Sequence, residues 1–279
     1  MKAKPFLKWA GGKTKLIPHV MPHLPLSFRN YFEPFVGGGA FFWELNTRSA
    51  TISDSNEDLI LAYQMIKKKP KSLNKVLRQL EGKHSKLFFY TIRSRFNRRK
   101  DAPIVMAAMF IYLNAKCFRG LCRYNQKNEL NAPIQMPETQ LRKIPQEFEI
   151  DACHKRLVQT DILCGDFAVS LDKAKENDLV ILDPPYAPID LTSNFTAYTA
   201  DGFEWEDQVR LAGKFRELTD NKVYAIAFNN VLEDIINLYH GFYFMKIPIK
   251  RNIVVKRNSK ANQMYEMAIF NYDPKERKW

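Results

Sequence analysis

Short apolar runs alternate along this chain with segments whose apolar residues recur at helical spacing. Residues 30–36 read as a short strand that Gly37-Gly38-Gly39 breaks, and residues 40–45 then read as helix. Residues 50–53 form a second short strand ending at Asp54. Asn56 is placed to cap a helix whose apolar residues Leu59, Tyr63 and Ile66 fall at i, i+4 and i+7. Much later, residues 179–182 and 223–228 are short, fully apolar runs, and Phe242, Tyr243 and Phe244 suggest a late strand. Phe41, Phe42 and Trp43 are expected in the core. Strands alternating with helices predict an α/β fold, a mostly parallel sheet with helices on both faces. The stretch from about 57 to 160 lacks that rhythm and is expected to be an inserted domain. The α/β domain would then comprise 1–56 and 161–279.

Charge sharpens this picture. Of 279 residues, 43 are Lys or Arg and 30 are Asp or Glu, a formal net charge of +13. A polyanionic partner such as nucleic acid would account for that excess, although a basic protein without one is the plainer alternative. Thirteen Lys and Arg lie between Lys67 and Lys100 against Glu81 alone. Leu73, Val76, Leu77 and Leu80 sit among them at helical spacing, so the run predicts helix with a basic outer face. A second basic stretch, residues 250–260, reads as a loop. Cys117, Cys122, Cys153 and Cys164 form no C-x-x-C pair, which points to reduced thiols rather than a metal site. His19 and His23 are four apart, but Pro18 and Pro22 argue against a metal-binding helix. No apolar run reaches the roughly 18 residues that span a bilayer, and Lys2, Lys4 and Lys8 do not open a signal peptide. These features lead to the expectation of a cytoplasmic protein with no membrane segment and no metal.

The chemistry concentrates in a few places. Asp183-Pro184-Pro185-Tyr186 follows an apolar strand, where ligands bind in open α/β sheets. Prolines supply no N–H, so such a turn can present carbonyls as fixed acceptors. An acid, a carbonyl and an aromatic ring suit an amino-substituted planar base; the alternative is an ordinary turn after a strand. Glu33-Pro34-Phe35-Val36-Gly37-Gly38-Gly39 has the strand, glycine loop and helix layout that brings backbone close to a ligand. Asp54, seventeen residues after Gly37, is placed to hydrogen-bond ribose hydroxyls, or simply to favour the start of the next helix. Lys8-Trp9-Ala10-Gly11-Gly12-Lys13 taken alone is a surface turn.

Together these blocks resemble the Dam-type DNA adenine methyltransferases. The match takes in Phe6-Leu7-Lys8-Trp9-Ala10-Gly11-Gly12-Lys13, Glu33-Pro34-Phe35-Val36-Gly37 and Asp54-x-Asn56-x-Asp58-Leu59. It continues through Gly120-Leu121-Cys122-Arg123-Tyr124-Asn125, Asp183-Pro184-Pro185-Tyr186-Ala187-Pro188 and Asn194-Phe195-Thr196-Ala197-Tyr198. The blocks stand in family order over nearly the whole chain. The resemblance implies a Rossmann-like methyltransferase sheet with an inserted, mostly helical target-recognition domain carrying a β-hairpin. It implies methyl transfer from S-adenosylmethionine, leaving S-adenosylhomocysteine, to N6 of an adenine flipped out of double-stranded DNA, by a monomer. Trp9, Lys13, Asp54 and Asp183 match residues that contact the cofactor. Phe35, Gly37 and Gly39 would flank it, with Asp166 and Phe167 near its adenine. Asp183, Pro184, Pro185 and Tyr186 would form the methyl-transfer pocket. A hairpin at about 116–136 would enter the major groove, with Phe118 as a wedge, Arg123 as a base reader, and Lys8, Arg119, Leu121, Asn125 and Pro133 also at DNA. The family reads G-A-T-C. Arg119 stands where the family has Asn, and Ile134-Gln135-Met136-Pro137 where it has Phe-Gly-Arg-Tyr, so a relaxed site is also open. An enzyme on RNA or protein amides and an inactive DNA-binding protein are the rival readings; intact Asp54 and Asp183 favour the enzyme.

Overall fold

The computed structural model describes residues 2–45, 47–137, 141–187, 202–249 and 264–279. In chain order the elements are α1 (Ile17–Val20), β1 (Tyr31–Glu33), α2 (Ala40–Glu44), β2 (Ala50–Asp54), α3 (Glu57–Lys68), α4 (Pro70–Glu81), α5 (Lys86–Asn97), α6 (Pro103–Lys116) and α7 (Glu147–Leu157). There follow β3 (Thr160–Cys164), α8 (Phe167–Leu171), β4 (Leu179–Leu182), α9 (Trp205–Asp220), β5 (Tyr224–Asn230), α10 (Glu233–Leu238), β6 (Tyr243–Ile249) and β7 (Met264–Phe270). The strands form one seven-stranded sheet in the order β3-β2-β1-β4-β5-β7-β6. β2 pairs with β3, β1 with β4 and β4 with β5 in parallel, and β7 pairs antiparallel with both β5 and β6. The fold is mixed α/β, a Rossmann-like sheet with helices. Two compact units divide the chain: Met1–Lys13 with Val36–Asp166, and Thr14–Phe35 with Phe167–Trp279.

In the second unit, β4 is apolar throughout because both of its faces are covered. Leu179, Val180, Ile181 and Leu182 are all fully buried. Alternate residues share a face. Val180 and Leu182 therefore line up with Ala225 and Ala227 of β5 and Met267 and Ile269 of β7, against Leu211, Ala212, Phe215 and Leu218 of α9. The predicted strand at residues 30–36 is shorter in the structure and stops at Glu33. Pro34 has no N–H for a ladder, which ends the run there.

The first unit is mostly helical. α6 is buried from Met106 to Lys116, with α3, α4 and α5 packed around it. The basic run from Lys67 to Lys100 is not one helix; it is shared among the end of α3, α4 and α5. Pro70 opens α4, and the Ser85 hydroxyl caps α5 by accepting from the Phe88 N–H at 3.1 Å. Leu73, Leu77 and Leu80 point inward and leave Lys71 and Lys75 exposed. Asn56 caps α3 as its sequence suggests, accepting from the Leu59 N–H at 2.9 Å. Phe41, Phe42 and Trp43 are buried. Residues 188–201 and 250–263, which include Pro188, the block Asn194 to Tyr198 and the whole second basic stretch, lie outside the described residues. Among the described residues no helix is long and apolar enough to cross a membrane.

Candidate active site

In the first unit, Gly37, Gly39, Asp54 and Trp9 form a tight cradle. Gly37 sits at φ +46, and a Cβ there would lie 2.7 Å from Trp9 Cδ1. Both the left-handed backbone and the close approach require glycine. Gly39, at φ +69, would push a Cβ to 2.9 Å from Trp43 Nε1 and the Tyr63 hydroxyl. The Asp54 carboxylate shapes this loop: Oδ2 accepts from the Gly37 N–H and Oδ1 from the Asn56 N–H, each at 3.0 Å. The Tyr63 hydroxyl donates to the Gly37 carbonyl at 3.1 Å. Lys13 is buried and its ammonium donates to the Gly11 carbonyl at 2.7 Å. Asp166 is exposed at the end of this unit.

In the second unit, Phe35 and Phe167 pack at 5.4 Å between ring centroids, and Phe203 meets Phe35 edge-on at 5.6 Å. The Arg210 guanidinium lies 4.2 Å over Phe167. Nothing local in the sequence marks Phe203 or Arg210 as companions of Phe35.

The turn after β4 is held from outside. Asp183 and Tyr186 are half-buried and Pro184 is buried. The Pro185 carbonyl accepts from Gln208 Nε2 at 2.8 Å. The Ala187 N–H donates to Asn229 Oδ1 at 3.3 Å, and Asn230 Nδ2 donates to the Ala187 carbonyl at 2.6 Å. The Pro184 carbonyl has no hydrogen-bond partner among the described residues. The Tyr186 hydroxyl donates to Glu266 Oε2 at 2.8 Å. Burial first, then the Asp183 and Glu266 carboxylates, push that phenol far above its ordinary range, so it stays neutral. Gln208, Asn229 and Glu266 were not anticipated from the sequence. The polar pair Asn229-Asn230 at the carboxyl end of an apolar strand was the available signal.

Residues 116–136 of the first unit pair as a hairpin. Cys117 bridges Ile134 and Tyr124 bridges Leu130, both antiparallel. The Asn131 N–H donates to the Arg123 carbonyl at 2.9 Å, and the Phe118 N–H to the Pro133 carbonyl at 2.8 Å. One side of it is solvent-exposed and carries Phe118, Arg119, Leu121, Arg123, Pro133 and Met136. Arg119 sits at φ +54, a conformation in which Asn is much more at ease than Arg, and its guanidinium covers the Phe118 ring at 5.2 Å. Arg123 Nε donates to Asn131 Oδ1 at 3.0 Å. The Asn125 side chain is engaged in its own turn, with Oδ1 accepting from the Lys127 and Glu129 N–H groups and Nδ2 donating to Glu129.

Two buried polar groups anchor the hairpin. Asn114 of α6 is 1% exposed; it accepts from the Lys8 N–H at 3.0 Å and donates to the Lys8 carbonyl at 2.8 Å and the Gly120 carbonyl at 3.2 Å. Gly120, at φ +72, would put a Cβ 2.7 Å from Lys8 Cβ. Asp58 of α3 is paired with both terminal nitrogens of Arg99 and accepts from the Tyr124 hydroxyl at 2.7 Å. Burial, and then the Asp58 carboxylate, drive the Tyr124 phenol well above its usual range.

The α/β sheet carries a glycine loop after its first strand and a D-P-P-Y turn at the end of a central one. Residues 9–253 match the family model described as D12 class N6 adenine-specific DNA methyltransferase. The chain is 36% identical to the type II methyltransferase M.MjaIII of Methanocaldococcus jannaschii, over 98% of this chain and 100% of that one. It is 35% identical to the type II methyltransferase M1.LlaDCHI of Lactococcus lactis subsp. cremoris, over 96% and 95%. It is 29% identical to a DNA adenine methylase of Vibrio cholerae, over 98% and 97%. The chain belongs to the D12 class N6 adenine-specific DNA methyltransferase family and is an adenine-specific DNA methyltransferase.

Proposed function

We propose that this enzyme methylates N6 of adenine within G-A-T-C, or a relaxed form of it, in double-stranded DNA, using S-adenosylmethionine and a flipped-out base. The observation that carries the reading is the asymmetry of the D-P-P-Y turn. The Pro185 carbonyl is occupied by Gln208, whereas the Pro184 carbonyl, next to Asp183, has no partner among the described residues. Asp183 and the Pro184 carbonyl each accept one N6 hydrogen. The adenine amine is a poor nucleophile because its lone pair is delocalised into the ring. Two acceptors favour a pyramidal nitrogen and stabilise the positive charge that develops on it. Tyr186 stacks on the base, its ring held in plane by the hydrogen bond to Glu266. An adenine inside the duplex cannot present N6 this way, hence the flipped base.

The residues of the first unit fit the cofactor. The glycine loop is packed against Trp9, and the Asp54 carboxylate that orders it stands at the end of a strand, where ribose hydroxyls are bound in nucleotide-binding α/β folds. S-adenosylmethionine supplies an electrophilic methyl group on sulfur. Trp9, Lys13, Asp54 and Asp183 would contact it, Phe35, Gly37 and Gly39 would flank it, and Asp166 and Phe167 would lie near its adenine. Residues 57–160 would serve target recognition, and 1–56 with 161–279 catalysis, in a cytoplasmic monomer. The exposed hairpin face suits a major groove: Arg123 reads a guanine, Leu121 and Pro133 pack on thymine methyls, Phe118 wedges, and Lys8 and Arg119 add charge. Asn125 shapes the tip. The defining experiment is methyl transfer from labelled S-adenosylmethionine to duplex DNA, RNA and protein in parallel, followed by base-resolved detection of N6-methyladenine. Marks confined to adenines in G-A-T-C-like sites are expected; marks without a sequence preference would sink the specificity.

Two variants separate the roles. Asp54→Ala is expected to weaken cofactor binding by about 1.5–3 kcal/mol, the worth of a charged hydrogen bond, while kcat at saturation changes far less. Calorimetry returning wild-type affinity would remove Asp54 from the cofactor site. Arg123 Nε is held by Asn131, which leaves two terminal nitrogens to donate to guanine O6 and N7. Arg123→Ala should therefore cost roughly 1–3 kcal/mol of discrimination at one guanine and leave non-specific binding and its salt slope almost intact. Equal weakening on every sequence, with a slope reduced by about one, would make Arg123 a phosphate contact instead.

A further inference from the structure

The D-P-P-Y turn cannot brace itself. Pro184 and Pro185 have no N–H, so neither can close a backbone hydrogen bond across the turn. Both carbonyls are competent acceptors, and an amine meeting two free ones could bind either. The structure answers with two buried amides from elsewhere in the second unit. Gln208, in the first turn of α9, is 2% exposed, and Asn229, at the end of β5, is 1% exposed.

Their hydrogen bonds run in one direction. The Asn230 N–H donates to Asn229 Oδ1 at 2.9 Å, as does the Ala187 N–H at 3.3 Å. Asn229 Nδ2 donates to Gln208 Oε1 at 3.0 Å, and Gln208 Nε2 donates to the Pro185 carbonyl at 2.8 Å. Backbone donors at Asn229 Oδ1 fix which way that amide faces, and Asn229 in turn fixes Gln208. Gln208 must then offer its NH2 group to Pro185. Buried amides are costly unless satisfied, and these are satisfied through the catalytic turn.

We infer that Gln208 is a positioning residue for methyl transfer: through the Asn229 relay it occupies the Pro185 carbonyl, so that the Pro184 carbonyl is the one presented to the adenine amine. Gln208 does not touch the base. The inference rests on the proposed role of Asp183 and Pro184.

The test pairs Gln208→Leu with Gln208→Glu in the full-length enzyme. Gln208→Leu removes the donor to Pro185. It should lower kcat by more than about tenfold, with cofactor and DNA affinities within about twofold of wild type. Gln208→Glu keeps the shape and adds a titration. As a neutral acid it can still donate to the Pro185 carbonyl and accept from Asn229. Ionised, it can only accept, and it faces the carbonyl with a charge. Burial raises such a carboxyl's pKa. The ratio of variant to wild-type kcat should therefore climb by about fivefold or more as pH falls from about 9 to about 6. Asp183, Tyr186 and Glu266 stand on the same turn and the nearby strand in both enzymes, and the ratio to wild type removes what the two have in common. A flat ratio, or Gln208→Leu with kcat within about twofold of wild type, overturns the assignment. Asp183→Ala run alongside keeps the two ideas apart. If Asp183→Ala is inactive and the Gln208 variants are normal, the relay idea alone fails. An active Asp183→Ala defeats the reading of the turn itself.

Discussion

Asp183→Ala is expected to fold and to bind DNA, yet to transfer methyl groups at well under a tenth of the wild-type rate. The carboxylate is half-buried at the end of β4, whose burial rests on Leu179 to Leu182 rather than on Asp183. The variant should therefore melt close to wild type. Chemistry is another matter. Of the two acceptors proposed for the amine, the Pro184 carbonyl is neutral and Asp183 carries the charge. Charge that faces a developing cation acts mainly in the transition state, and removing one such preorganised group typically lowers kcat by about 10²–10³. Tyr186 keeps its bond to Glu266 in the variant, so the stacking surface survives and DNA KM should change less than kcat. Cofactor affinity is expected to fall as well, because Asp183 is also matched to a cofactor contact. Rates at saturating DNA and cofactor isolate the chemical step. Turnover above about a tenth of wild type, a loss under roughly 1.4 kcal/mol, would remove Asp183 from that role.

What the sequence disclosed follows from what is local. β4 shows as an uninterrupted apolar run because both faces are buried, and Asn56 shows as a cap because its acceptor reaches only three residues on. Gly37 and Asp54 stand out because each closes the end of a short apolar run. The groups that hold those features in place could not be read so directly. Gln208 meets Pro185 across 23 residues and Glu266 meets Tyr186 across 80; neither lies in a motif. Asn114 lies inside an apolar helix, where its sequence neighbours suggest only packing, and its work is done at Lys8, 106 residues away. The basic run reads as helical and is helical, but its division is hidden for a related reason. Charge and apolar spacing continue across Pro70 and Ser85, so periodicity alone does not show that three helices share it. Arg119 illustrates the limit from the other side. Its departure from the family pattern was visible, but its left-handed backbone, where Asn sits more comfortably, was not.

Asp58→Ala is expected to destabilise the first unit and to loosen the hairpin without touching its reading face. The Asp58 side chain is 9% exposed and that of Arg99 36%. Removing the carboxylate leaves a partly buried guanidinium unpaired and takes the acceptor from the Tyr124 hydroxyl, which is itself half-buried. Breaking a fully buried pair costs about 3–5 kcal/mol. Arg99 retains access to water, so about 2–3 kcal/mol is the better expectation here. For a chain of this size that is a fall of roughly 4–12 °C in Tm. Tyr124→Phe removes one hydrogen bond but leaves the ion pair, and should cost only about 1–2 kcal/mol. The double variant should then fall short of the sum of the two, because the Tyr124 bond is already lost once Asp58 is gone. The hairpin is the functional consequence. Tyr124 adjoins Arg123, so release of its hydroxyl should blur discrimination at the base Arg123 reads, while the exposed basic residues of α4 and α5 preserve non-specific binding. Thermal melts of the two single variants and the double variant, with DNA binding measured on cognate and substituted duplexes, decide it. Strict additivity, or an Asp58→Ala enzyme as stable as wild type, would mean that the Asp58 pair does not anchor the hairpin.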